Sequence, residues 1–87
     1  MAQTLQVKII SPKKDLFQGP ATSVSSTNST GKCDILPEHA NFITIIDHSP
    51  ILIRTADKNI LTFNFPLAII HIQNDQVRIY TEFSTTL

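Results

Sequence analysis

The chain has 87 residues, a net charge of zero, 41% hydrophobic and 16% charged residues, and a single cysteine. That length predicts one domain spanning 1–87, with a core over about 5–82 and room for a binding face rather than a deep cleft. Zero net charge gives no basic field for nucleic acid or anionic lipid, one cysteine permits no internal disulfide, and no apolar run reaches the roughly 18–20 residues that span a bilayer.

In chain order, Leu5-Gln6-Val7-Lys8-Ile9-Ile10 alternates apolar and polar residues, which predicts a half-buried strand ended by Ser11-Pro12. Lys13-Lys14-Asp15 is a charged turn, Phe17 is placed to anchor it to the core, and Gly19-Pro20 is a second breaker. Ala21 to Thr27 reads as a weak strand at an edge, and Asn28-Ser29-Thr30-Gly31 as a loop. Cys33 to Leu36 forms a short strand stopped by Pro37, and Glu38 to Asn41 a ledge or single turn. Phe42-Ile43-Thr44-Ile45-Ile46 is nearly all apolar and predicts the central buried strand, closed by Asp47-His48-Ser49-Pro50.

Ile51-Leu52-Ile53 is the next strand, followed by the turn Ala56-Asp57-Lys58-Asn59. Ile60 to Phe65 follows, with Leu61, Phe63 and Phe65 in phase and Pro66 ending it. Ala68 to Gln73 and Gln76 to Thr81 form a hairpin through Asn74-Asp75, two residue types that tolerate the positive φ of a two-residue turn. Residues 83–87 read as a frayed tail. The sum is an all-β chain, an antiparallel β-sandwich of about eight to ten short strands with no helical periodicity.

Reactive chemistry finds little support. Cys33, His39, His48 and His71 do not match a zinc signature, and no third group is marked to orient a Cys33–histidine pair. The acidic residues sit mostly in turns, and two glycines cannot build a phosphate loop. No cofactor or metal is expected. A low charge content points instead to surface covered by a protein partner, since soluble domains average about 25% charged residues.

Three segments carry a family resemblance: Leu5 to Pro12 with Leu16-Phe17-Gln18-Gly19, then Gly31-Lys32-Cys33-Asp34-Ile35-Leu36-Pro37-Glu38-His39-Ala40, then Val77 to Glu82. In this order and spacing the chain resembles the N-terminal β-sandwich domain of the ε subunit of F-type ATP synthases, whose pattern at the second segment is Gly-x-x-Gly-Ile-Leu-Pro-Gly-His-Ala. Three departures stand out. Asp34 and Glu38 replace glycines, and Leu67-Ala68 replaces a Gly-Gly pair. Lost glycines predict altered backbone at those turns. The family's C-terminal helical hairpin, which inhibits ATP hydrolysis, has no counterpart in this sequence, so that inhibition is not expected.

The resemblance implies a sandwich of about ten strands at the foot of the rotating central stalk. It implies a non-catalytic piece that couples the γ subunit to the membrane c ring in ion-driven ATP synthesis. By position, Pro37, Glu38, His39 and Ala40 would face γ, and Asn28, Ser29, Thr30, Gly31 and Lys32 would face the c ring. The protein would be peripheral, on the cytoplasmic side of a bacterial inner membrane, without inserting into it. Taken without the resemblance, the same loop reads as a solvated hairpin end. A free-standing sandwich interaction module outside the synthase, and a small thiol or metal enzyme, are the competing readings.

Overall fold

In the computed structural model, which describes residues 4–81, the chain forms eight strands and no helix. They are β1 (Leu5–Ile10), β2 (Asp15–Asn28), β3 (Gly31–Ile35), β4 (Phe42–Asp47), β5 (Pro50–Thr55), β6 (Ile60–Asn64), β7 (Leu67–Gln73) and β8 (Gln76–Thr81). Hydrogen bonds join them in the order β4-β7-β8-β1-β2-β5-β6, with β3 also paired to β2. Every pair is antiparallel except β1 with β8, which run parallel from Gln6–Gln76 to Ile10–Tyr80. The predicted tail lies outside the described residues.

Strand β2 makes two layers out of one sheet. Its first half pairs with β1, Phe17 to Ile9 through Ala21 to Leu5, and its second half pairs with β5 and β3. The register shifts between Ala21 and Ser23, where β2 passes from one partner to the next. Two expectations fail here for one reason. Gly19-Pro20 does not break the chain, and Ala21–Thr27 is not an edge strand. Pro20, which has no N–H to give, sits at that handover, and its carbonyl still accepts the Ala56 N–H at 3.3 Å.

The layers close over Leu5, Val7, Ile9, Val24, Ile35, Ile46, Ile51, Ile53, Ile70, Ile72, Val77 and Ile79, each 1% exposed or less. Period-two alternation puts these residues inward in β1, β5, β7 and β8, as the sequence pattern requires. The in-phase Leu61, Phe63 and Phe65 pack against this core from the β6 side, half-buried, with Phe17 and Phe63 ring centroids 6.2 Å apart.

β4 departs most from expectation. It is not central; it ends the strand order and pairs only with β7. Phe42, Thr44 and Ile46 turn inward, leaving Ile43 and Ile45 at 64% and 58% exposed. The inward polar residue is accommodated because Thr44 Oγ1 accepts a hydrogen bond from Asn28 Nδ2 at 3.2 Å.

Candidate functional site

The two groups of site residues lie at opposite ends of β3, which at about 3.4 Å per residue is roughly 17 Å long. At its start, Ser29 and Thr30 form the turn between β2 and β3. Asn28 Oδ1 accepts the Thr30 N–H at 3.0 Å and the Thr30 hydroxyl at 2.8 Å, an Asx turn held by one side chain. Gly31 follows with a φ of 124°, which an L side chain resists. Asn28 thus fixes its own turn with Oδ1 and ties it to β4 with Nδ2, leaving Ser29, Thr30 and Lys32 exposed.

At the far end of β3, Leu36 to His39 form a turn closed by the His39 N–H on the Leu36 carbonyl at 3.1 Å. Pro37 presets its first corner, and Glu38 takes the second with φ 66°. The expectation of altered backbone fails at Glu38: the position still adopts the positive φ that a glycine would favour. Asp34 in β3 and Leu67-Ala68 in β7 instead lie within strands, outside the positive-φ region.

The β7–β8 hairpin holds this turn. Asp75 Oδ1 accepts the Glu38 N–H at 2.6 Å, Asn41 Oδ1 accepts the Asn74 N–H at 3.0 Å, and the Asp75 carbonyl accepts the Gln6 N–H at 2.9 Å. Asn74 and Asp75 carry φ values of 51° and 62°, as a two-residue hairpin turn demands. His39 Nδ1 donates to the Ala40 carbonyl at 2.8 Å, and its ring lies 5.0 Å from that of Phe42. Leu36, Glu38 and Ala40 are left facing outward.

Sequence reasoning missed a third surface, the outer face of the β4-β7-β8-β1 layer. Strand register lines Ile45, Ile69, Tyr80 and Ile10 into one apolar row, and His71, Arg78 and Lys8 into the next. A third row holds Gln73, Gln76 and Gln6. The signal lay in the pairing, because each of these side chains comes from a different strand.

Reactive groups do not converge. Among the described residues no three of His, Cys, Asp and Glu come together in a metal-binding group. Burial, and secondarily the Asp34 carboxylate, push the half-buried Cys33 thiol up, opposite to the shift an activated nucleophile needs. His48 Nδ1 is paired to Asp47 on the surface, where both side chains are exposed. Among the described residues no helix is long and apolar enough to cross a membrane.

Among the described residues the chain is a helix-free β-sandwich whose distinctive side chains sit on turns and outer faces. The chain belongs to the ATP synthase delta/epsilon chain β-sandwich domain family, whose model matches residues 4–85. An ATP synthase epsilon chain of Clostridium botulinum is 33% identical over 82 residues, 94% of this chain and 61% of the relative. One from Xanthomonas oryzae is 32% identical over 79 residues, covering 91% and 56%. The chain therefore spans little more than half the length of these curated relatives. A chain in the Euglena gracilis mitochondrial ATP synthase structure of OSCP, F1 and c-ring shares the fold at a TM-score of 0.84 and 11% identity, covering 94% of this chain and 52% of that one. A chain of the Tetrahymena thermophila mitochondrial ATP synthase central stalk and c-ring does so at 0.75 and 16%, covering 91% and 63%.

Proposed function

We propose that the chain serves as a central-stalk subunit of an F-type ATP synthase, coupling the γ subunit to the c ring without chemistry of its own. The observation that carries this reading is the position of the two turns. Asn28–Lys32 and Pro37–Ala40 sit at opposite ends of β3, each pinned to a neighbouring strand or hairpin by side-chain hydrogen bonds. A doubly layered sheet with fixed turns at both ends suits a part that transmits torque between two partners. The backbone kept at Glu38 favours the assignment of Pro37, Glu38, His39 and Ala40 to the γ side, and Asn28, Ser29, Thr30, Gly31 and Lys32 would meet the c ring. The outward apolar row of Ile45, Ile69, Tyr80 and Ile10 adds surface that a partner would cover. Held this way, the protein is peripheral to the membrane, on the cytoplasmic side.

The test is co-elution of the purified chain with the γ subunit of its own organism at micromolar concentration. Glu38→Arg and His39→Asp should each weaken that binding, whereas a substitution at exposed Lys13 should not. Failure of the unmodified chain to co-elute would remove the stalk reading and favour a sandwich module acting outside the synthase.

A further inference from the structure

We propose that the outer face of the β3-β2-β5 layer binds a small monocarboxylate with a short apolar body, its carboxylate held at Ser23 and Arg54. β2 lies between β3 and β5, and its outward residues Ser23, Ser25 and Thr27 are short. The register sets longer side chains on both sides of them. Arg54 stands beside Ser23, Asp34 and Leu52 beside Ser25, and Lys32 beside Thr27. Flanking strands about 10 Å apart over a floor of hydroxyls make a trough. Its open volume is about 420 Å³, within the range of small-ligand sites, and Leu36 also borders it.

Ser23 marks the trough as a site. Its neighbours on β2 are satisfied: Thr22 Oγ1 donates to the Arg54 carbonyl at 3.3 Å, and Ser26 Oγ to the Pro50 carbonyl at 2.8 Å. Ser23 is only 7% exposed, yet among the described residues its hydroxyl has no hydrogen-bond partner. No fully buried polar side-chain atom of the described chain lacks a partner, so this hydroxyl reaches the trough that Ser23 lines. A ligand oxygen over it gains the bond that the fold leaves unmade. Arg54 forms no ion pair among the described residues, and its Cα is paired with that of Ser23. A carboxylate over Ser23 therefore takes charge-assisted bonds from the guanidinium as well. Charge selects the ligand class. Asp34, one rung along on the opposite wall, repels a second negative charge, which favours a single carboxylate over a phosphate or an acidic peptide. Leu36, 55% exposed, and half-buried Leu52 offer apolar surface for an alkyl chain. This inference does not depend on the stalk reading.

Titration of the full chain with sodium hexanoate at constant ionic strength, followed by proton–nitrogen NMR, should give saturable shifts at Ser23, Ser25 and Arg54. Hexanol at the same concentrations should not, and inorganic phosphate should bind more weakly than hexanoate. Arg54→Gln and Ser23→Ala should each weaken hexanoate binding about tenfold, the loss of one charge-assisted bond. Lys8→Gln, on the other layer, should leave it unaltered. Because the Ser23 hydroxyl has no protein partner to lose, Ser23→Ala should keep the Tm of the unmodified chain, which separates a ligand contact from a structural one. Absence of a saturable shift, hexanol or phosphate binding as tightly as hexanoate, binding unchanged in Ser23→Ala, or a Tm lowered by that substitution would each overturn the proposal.

Discussion

Glu38 holds a φ of 66° in a turn whose second corner suits glycine. Holding an L residue in the left-handed region costs roughly 1–2 kcal/mol, and the greater freedom of glycine in the unfolded chain returns about 0.5–1 kcal/mol of any relief. Glu38→Gly should therefore stabilise the fold by a few tenths to about 1 kcal/mol, raising Tm by several degrees at about 4–8 °C per kcal/mol for a chain this size. Thermal melts of the two proteins check this; a lower Tm would mean that the Glu38 side chain contributes more than its backbone strain removes. The strain persists because the Glu38 N–H is held by Asp75 Oδ1, so the turn is fixed from outside as well as by its own residues. Asp57 is governed more locally. The Thr55 hydroxyl donates to its carboxylate and holds it below the usual carboxylate range, within a turn in which Thr55 Oγ1 also accepts the Asn59 N–H at 3.1 Å. A depressed folded-state pKa means that the contribution is full above the unfolded value of about 3.9, fades as pH falls below it, and is gone beneath the folded value. The Asn59 amide resonance should titrate with a midpoint below that of an unstructured aspartate, and Asp57→Asn should abolish the titration.

At the scale of elements, β4 separates apolar composition from burial. Ile45 and Ile46 are neighbours of identical chemistry, 58% and 1% exposed. Ile46→Ala should cost about 2–5 kcal/mol by removing packed atoms and leaving a cavity, while Ile45→Ala should stay within about 0.5 kcal/mol. Urea unfolding of both variants measures the difference, and equal losses would place β4 inside the sandwich after all. This strand also shows where the sequence was legible. β1, β7 and β8 alternate strictly, so period two assigned their faces, and Asn74-Asp75 located the hairpin to the residue. Phe42–Ile46 has apolar residues in both phases, so its pattern fits a fully buried strand and an edge strand equally. What decides is the long-range strand order, in which β4 pairs only with β7, and local spacing does not show it. The length of β2 escaped for a related reason, since Gly19-Pro20 breaks a strand only where both of its sides need donors. Of the candidate site, both turns were legible from their Asn, Gly and Pro residues, whereas the apolar and basic rows needed the register of four strands.

At the scale of the molecule, the first and last of the described strands are joined by the parallel pairing of β1 with β8, in which Val7 meets Val77 and Ile9 meets Ile79. No local hairpin can close that contact, so it forms only after the intervening strands are gathered, and folding should be slow for a domain of this size. The same pairing makes the layers interdependent. Ile79, fully buried, pairs with Ile9 on one side and Ile70 on the other, and both belong to the core shared with β3 and β5. A domain of 87 residues has a total stability of roughly 4–13 kcal/mol, so Ile79→Ala, at about 2–5 kcal/mol, should consume a large part of it. Tyr80, the only tyrosine in a chain without tryptophan, lies beside it on the outer face and reports on the β8 layer alone, while far-UV circular dichroism reports on all strands. If the layers stand or fall together, Tyr80 fluorescence and circular dichroism will trace one coincident transition in the variant, at lower temperature than in the unmodified chain. If the tyrosine signal melts first and the far-UV signal retains a second step, the layers are separable units. A piece built that way would be ill suited to the proposed transmission of torque.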